Sequence, residues 1–339
     1  MASGHVTLEE VAQIAGVATS TVSRVLRGEV GCASSETAER IRQTALELGY
    51  HPNFAARLLA SGKSHVIGVA TGRPGWAVYT QQLAAISAEL AGRGYQAVPL
   101  YYENPAPVFP SPGDALSSGM LEGLLVCAAP EQLRTDLERA LGRGLPTVSL
   151  LETPLPDVPR VTVDYTVGTR MATRYLISLG HTRIAAVNCS LSMADNKDTG
   201  YRQAVEEEGL SPMWLPYSDP YDRPAFKVGY DLAQQLLQME DRPTAAICSN
   251  DEVAVGVVRA LRDHGLRVPQ DLSVIGFDDI ELARYCVPAL TTVRQPIDTW
   301  AAHAVDLLLT VLDGDDSVPD LEVLSPELVV RESCNELPE

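Results

Sequence analysis

The chain has no run of about 18 apolar residues, the length needed to cross a bilayer. Its opening, MASGHVTLEE, holds no basic segment followed by an apolar one. Neither a membrane span nor a secretory leader is expected, and a cytoplasmic setting is. The six cysteines, Cys32, Cys127, Cys189, Cys248, Cys286 and Cys334, are scattered and form no CxxC pair. They read as reduced thiols, most of them core packing, and exclude a disulfide or zinc framework. No histidines fall at metal-ligand spacing, and His181 reads as a capping or packing group. A GxSxG nucleophile elbow is missing. SGKS at 61–64 resembles the end of a phosphate loop, but Arg57 stands where that loop needs glycine. GRGYQA at 92–97 follows a helix and precedes a strand, the reverse of a dinucleotide site. DGDD at 313–316 lacks the spacing of a calcium loop. No catalytic set, metal or cofactor is expected, so the chain does not read as an enzyme. Positive charge is also short: the net charge is −18, which argues against a nonspecific nucleic-acid binder.

What is present begins with TLEEVAQIAGVATSTVSRVLRG, residues 7–28. Thr7 and Glu10 have the spacing of a capping box. Leu8, Val11, Ala12 and Ile14–Ala15 line one face of a first helix, and Gly16 stops it. A second helix has Val22, Val25 and Leu26 on its apolar side. Its other side carries Thr19, Ser20, Thr21, Ser23 and Arg24. Two short helices about a tight turn make a helix-turn-helix, and small polar groups with one Arg suit a major groove. Two ordinary helices of a soluble bundle would show the same geometry. Ser34 or Ser35 can cap a third helix with Ile41, Ala45 and Leu48 inward, ended by Gly49. Through residue 63 the basic groups Arg24, Arg27, Arg40, Arg42, Arg57 and Lys63 balance Glu9, Glu10, Glu29, Glu36, Glu39 and Glu47. The phosphate contribution to DNA affinity should therefore be modest and dimerisation should matter more.

At 339 residues the chain suits two or three domains. From residue 64, strand-like runs alternate with amphipathic helices: SHVIGVAT, YQAVPLYY, LEGLLVCAA, LPTVSLLE, RVTVDY, RIAAVNCS, a weak one near WLPYS, AAICSN and LSVIGFD are the strands. That alternation predicts parallel sheets with helices on both faces, and the length favours two similar subdomains. In such a fold a ligand belongs at the carboxyl ends of the strands. The loops so selected carry Arg73, Trp76 and Tyr79, then Glu152, then Ser190, Asp195, Asn196 and Lys197, then Asn250 and Asp251, then Asp278, with Gln295 beyond.

The string T-L-x-x-V-A-x-x-A-G-V-x-x-x-T-V-S-R-V-L resembles the N-terminal domain of the lac/gal repressor family, and GHTRIA (180–185) and LSVIGFDD (272–279) extend the likeness over essentially the whole chain. The resemblance implies a small all-α helix-turn-helix head plus an α/β two-lobed periplasmic-binding-protein-like (type I) effector domain. Expected boundaries are 1–50 for the head, 51–63 for a hinge helix and linker, 64–163 with 292–323 for one lobe, and 164–291 with 324–339 for the other. LTTVRQPIDTWAAHAVDLLL (290–309) would then be a crossover to the first lobe plus a helix, and SPELVVRES a terminal strand of the second. Thr7, Thr19, Ser20, Thr21, Ser23, Arg24, Asn53, Ala56 and Leu59 are the DNA-binding candidates. Leu59 falls where the family wedges a leucine into the minor groove. Without the family, 53–60 would read as a plain linker.

For the effector, the resemblance singles out Asn250 and Asp278, with Glu152 and Gln295 at weaker contact positions. Asp278 could also cap a turn, and Glu152 fits a structural role equally well. The chain departs from the family twice. Lys197 stands where many relatives have Arg, giving a point charge in place of a planar fork. Pro224 stands where a phenylalanine or tryptophan is usual, leaving Tyr221, Phe226 or Trp76 to supply a stacking face. Ala18 also replaces a usual capping serine. Carboxylates with Asn, Gln and an aromatic wall suit a neutral polyhydroxy ligand. The expected effector is a sugar or glycoside, with a nucleoside second. The expected partners are double-stranded operator DNA and a second copy of the chain, since the CNELPE tail has no heptads for higher assembly. The competing reading is a sugar-binding receptor or transport component, which would have no use for residues 7–60.

Overall fold

A computed structural model describes residues 6–26, 31–50, 63–72, 74–101, 111–128, 131–151, 154–188, 196–216, 224–315 and 317–337. These form two compact units, Met1–Ser64 and His65–Glu339.

In the first unit, α1 (Leu8–Ala15), α2 (Thr19–Leu26) and α3 (Ser35–Glu47) enclose a small core of Val11, Ala12, Ala15, Val22, Val25, Ile41 and Ala45. Its local devices are those the sequence predicts. Thr7 accepts from the Glu10 amide at 3.3 Å while Glu10 accepts from the Thr7 amide at 2.7 Å, a reciprocal box. Gly16 ends α1 at φ 68°, a left-handed cap that favours glycine. Ser34, of the two candidate serines, caps α3 through the Thr37 amide. Ile14 is the exception: it is 62% exposed. At 100° per residue it points about a quarter-turn away from the stripe of Val11, Ala12 and Ala15.

The second unit contains two six-stranded sheets. The first has the order β11-β5-β4-β3-β1-β2, with β1 Val66–Thr71, β2 Gln96–Tyr101, β3 Gly123–Val126, β4 Thr147–Ser149, β5 Arg160–Val163 and β11 Leu321–Leu324. The second has the order β12-β10-β9-β8-β6-β7, with β6 Ile184–Val187, β7 Met213–Leu215, β8 Ala245–Cys248, β9 Ser273–Asp278, β10 Thr291–Arg294 and β12 Glu327–Val329. The two orders superpose strand for strand. Every pairing is parallel except β12 with β10. Central strands are buried along their length, as sheets covered on both faces require.

Helices α4 (Ala77–Gly92), α5 (Pro112–Ser117), α6 (Glu131–Gly142) and α12 (Ile297–Leu312) belong to the first lobe. Helices α7 (Tyr165–Ser178), α8 (Lys197–Glu207), α9 (Ala225–Leu237), α10 (Asp251–Asp263) and α11 (Leu282–Tyr285) belong to the second. Trp300, Ala301, Ala304 and Leu308 of α12 pack with Ile67, Val69, Ile86 and Leu90. The chain therefore passes between the lobes after β5, after β10 and after β11. Two expected boundaries need correcting on this point. A lobe boundary at 292 would divide β10, which lies wholly in the second sheet, and one at 323 would divide β11, which lies in the first. Both are four-residue strands whose partners are remote in sequence, so no local signal marks them.

α9 and α10 cross backbone to backbone. A Cβ on Gly256 would lie 2.1 Å from the Phe226 carbonyl oxygen, and one on Gly229 would lie 2.0 Å from that of Val253. His181 is buried and lies 2.9 Å from Thr244 Oγ1, 3.0 Å from Ser273 Oγ and 3.1 Å from the Asn335 carbonyl. Burial holds its pKa down. It is a packing group that ties the C-terminal segment to the second sheet.

Candidate functional site

Two sets of residues carry the candidate functions. In the head, Thr19, Ser20 and Arg24 are exposed on α2, Thr21 and Ser23 are half-buried, and Val22 and Val25 face inward. That division gives α2 a polar outer face of short side chains with one long cation. Thr7 is exposed but its hydroxyl is engaged with Glu10. Asn53, Ala56 and Leu59 lie outside the described residues, as do Arg73, Glu152, Ser190, Asp195 and Tyr221.

The second set gathers at the carboxyl ends of the strands. Lys197, first residue of α8, is only 7% exposed. Its Nζ donates to the Ser249 carbonyl at 2.9 Å and stands over the rings of Phe277 (4.2 Å) and Tyr165 (5.1 Å). A buried ammonium needs such partners, because an unpaired one would forfeit its hydration without return. Asp278 closes β9 at φ 109° and accepts from Gln295 Nε2 at 2.6 Å. Gln295 in turn accepts from the Tyr165 hydroxyl at 3.2 Å. Lys197, Tyr165, Gln295 and Asp278 are thus joined in one polar chain lined by Phe277. Asp279, also at positive φ, is held by Arg294 (2.8 Å) and Arg331 (2.5 Å), which fixes the turn that aims Asp278.

At the head of α10, Asn250 accepts from the Val253 amide at 2.8 Å, so its carbonyl serves as an N-cap and its amide hydrogens remain. Asp251 is fully buried, accepting from Thr292 Oγ1 (2.5 Å) and the Ile280 amide (2.8 Å). Burial and then Asp278 push its pKa well up. Glu252, also buried, reaches the other lobe: its carboxylate accepts from the backbone amide of Ala77, the first residue of α4. Burial raises its pKa. Trp76, the N-cap of α4, has no side-chain cap bond, so Glu252 supplies an acceptor to this helix end from across the cleft.

On the first lobe, Trp76 and Tyr79 stack at 5.8 Å with ring planes 12° apart. Tyr79 closes over Gly72, where a Cβ would fall 2.1 Å from its ring. Phe226 is 39% exposed, in the first turn of α9. Sequence reasoning missed Tyr165, Ser249, Asn188 and Gln82. Asn188 directly follows β6 and donates to Ser249 Oγ at 3.2 Å. The strand-end rule reached this loop but stopped at Ser190, two residues too far along. A separate cavity of about 490 Å³, lined by Gln234, Gln238, Arg242 and His264, lies at the carboxyl ends of α9 and α10, the opposite end of the sheet from these groups.

The arrangement can bind a ligand through fixed polar groups and an aromatic wall. Among the described residues no group of three or more His, Cys, Asp or Glu could hold a metal ion, and no helix is long and apolar enough to cross a membrane.

Residues 7–53 match the lacI family of bacterial regulatory proteins, and residues 173–334 match the periplasmic binding protein-like domain. The chain is 32% identical over 338 residues to the ribose operon repressor of Haemophilus influenzae, covering 98% of this chain and 99% of that one. It is 30% identical over 342 residues to the HTH-type transcriptional repressor PurR of Vibrio atlanticus, covering 98% and 99%. Among solved structures, a lac repressor dimer bound to operator and the anti-inducer ONPF superposes with TM-score 0.79 at 28% identity, over 98% of this chain and 100% of that one. A complex of the transcriptional regulator CelR with cellobiose gives 0.68 at 27%, over 97% and 100%.

Proposed function

Because this chain belongs to the lacI family of bacterial regulatory proteins, we propose that it binds a near-palindromic operator as a homodimer and releases it when a small neutral effector, a sugar, enters the cleft between its lobes. It is a ligand-responsive repressor, as its relatives are, and no catalytic step enters the reading. It works in the cytoplasm, where operator DNA is. Thr19, Ser20 and Arg24 read bases or backbone, Thr21 and Ser23 flank them, Thr7 holds the first helix end, and the 53–60 segment sets register through Asn53, Ala56 and Leu59.

The observation that carries the effector class is the linked chain Lys197, Tyr165, Gln295 and Asp278. It offers one cation, one carboxylate and neutral donors and acceptors within a few ångströms of an aromatic floor. Hydroxyl groups can both donate to Asp278 and accept from Asn250 or Lys197, whereas an acid would face Asp278 and Glu252. Among similar proteins, CelR holds cellobiose and a lac repressor holds ONPF, which supports a saccharide. Trp76 and Tyr79 line the first-lobe side, and Glu152 and Phe226 remain contact candidates from the sequence. The stacked Trp76–Tyr79 pair keeps a nucleoside as the second choice.

Effector control requires unequal affinity for two lobe arrangements. The Glu252–Ala77 contact is an interlobe tie that one arrangement has and another would lack. The test begins with operator sequences selected from random DNA and a gel shift at several salt concentrations. A discrete dimer shift with a shallow salt slope is expected; no specific shift at any salt would favour a receptor without a DNA role. A thermal-shift screen follows. Saturation at about 100 times Kd contributes roughly 2.7 kcal/mol. Stabilisation by purines or sugar phosphates, with none from neutral sugars, would overturn the sugar assignment.

A further inference from the structure

Among the described residues, five buried side-chain nitrogen or oxygen atoms have no hydrogen-bond partner: Thr71 Oγ1, Gln82 Oε1, Thr169 Oγ1, Arg170 Nε and Asn188 Oδ1. Such atoms are uncommon in folded proteins, and each costs stability unless something supplies the missing bond. Three of the five are oxygens placed by the fold at the cleft.

The placement follows from two aligned rows. Ile67 and Val69 of β1 pack with Ile86 and Leu90 of α4. Side chains on one face of a strand recur every second residue, and those on one face of a helix about every fourth. Two residues on from Val69 is Thr71, and one turn back from Ile86 is Gln82. The helix runs antiparallel to the strand, so the two apolar rows end together, at the carboxyl end of β1, on this polar pair. Thr71 is 2% exposed and Gln82 is 6% exposed. Neither position needs a polar group for packing: a valine and a leucine would continue the rows.

The second lobe repeats the device. The sheet orders are equivalent, with β1 matching β6 and β3 matching β8. Ala70 pairs with Val126 where Val187 pairs with Cys248. Thr71 and Asn188 are therefore the next residues at corresponding places in the two lobes. Asn188 spends its amide on Ser249 Oγ and keeps a buried carbonyl oxygen. The carbonyl of the same Ser249 holds Lys197.

We propose that Thr71 and Gln82 of the first lobe, with Asn188 of the second, accept hydroxyl hydrogens of the effector, which is therefore a free monosaccharide with hydroxyls on both sides of its ring. An alkyl or aryl glycoside would place an apolar aglycone against one of these acceptors and leave it unpartnered. This inference rests on the sugar reading of the cleft.

The test uses the full chain, with Thr71→Val, Gln82→Leu and the double variant. Titration calorimetry measures binding of D-ribose, D-xylose, D-glucose and D-galactose and of their p-nitrophenyl glycosides. The parent protein should bind one free sugar more tightly than any of the glycosides. Each single variant should lose roughly tenfold in affinity for that sugar, the equivalent of one hydrogen bond in the site. The Tm of each ligand-free variant should be equal to or above the parent's, because the oxygen removed has no partner to lose. Unchanged sugar affinity in both variants would overturn the assignment of Thr71 and Gln82 while leaving a sugar in the cleft. Tighter binding of an aryl glycoside by the parent would overturn the free-sugar class. A fall in Tm on removing either oxygen would show that it holds the fold. If the parent binds neither sugars nor glycosides, the sugar reading fails and this inference fails with it.

Discussion

One methyl group added at Gly256 should lower the melting temperature of the sensor unit by roughly 6–12 °C. The new Cβ would lie 2.1 Å from the Phe226 carbonyl oxygen and 2.9 Å from the Tyr230 amide nitrogen. Both neighbours are helix backbone, which has no rotamer to escape into. α9 and α10 must part by about 1 Å or more to restore ordinary contact. Overpacking of this kind costs typically 1–3 kcal/mol, and rigid neighbours put it at about 3. A unit of this size loses about 2–4 °C per kcal/mol. The control is Gly92→Ala at the end of α4, where a Cβ would meet nothing within 4 Å. There the gain in helix propensity should stabilise the helix by up to about 1 kcal/mol and raise the Tm by up to about 2–4 °C. Scanning calorimetry of both variants makes the comparison. Since Asn250 caps α10 and Asp251 and Glu252 open it, Gly256→Ala should also weaken the effector response. A Gly256→Ala protein melting within a degree of the parent, or a Gly92→Ala protein falling as far, would refute the claim that backbone contact sets this crossing.

Thr7→Ala removes the hydroxyl half of the capping box and should cost the head about 1 kcal/mol, weakening operator binding in a gel shift without altering effector affinity. Asp251 is buried with its pKa raised, so the folded state keeps a proton that the unfolded chain has lost. Stability should therefore fall as pH rises from the ordinary aspartate range through the raised value, and Asp251→Asn should flatten that part of a series of urea midpoints; a parent profile already flat there would count against the burial argument. Leu59→Ala should weaken operator binding while leaving effector affinity in the DNA-free protein unchanged, and equal loss of both would remove Leu59 from the DNA interface.

The head was legible because its devices are local. Thr7 with Glu10, Gly16 and Ser34 act over three or four residues, and spacing alone reveals them. The central strands were legible as apolar runs between turn signals. What escaped depended on remote partners. β10 reads as TTVR, largely polar, and its buried threonines bond to Ser333 and Asp251, remote in the chain. β11 shows no more than LEVL at a sheet edge. At the cleft, the rule of strand ends found Lys197, Asp278 and Gln295 separately. Their union requires Tyr165, at the start of a helix in another part of the chain, to reach Gln295. Phe226 was a choice among aromatics with no geometric signal, and the structure leaves it at the surface.

The interleaving of the lobes bears on how the chain is made. Neither sheet is finished until its outermost strand arrives, and those strands, Leu321–Leu324 and Glu327–Val329, follow every other strand of the two sheets in chain order. The three described helices of Met1–Ser64 pack on one another and need no strand of the second unit. The head can therefore fold before the sensor, whose two lobes complete their sheets together. Removing residues 321–329 would strip an edge strand from both sheets at once, so one short segment couples the completion of the two lobes.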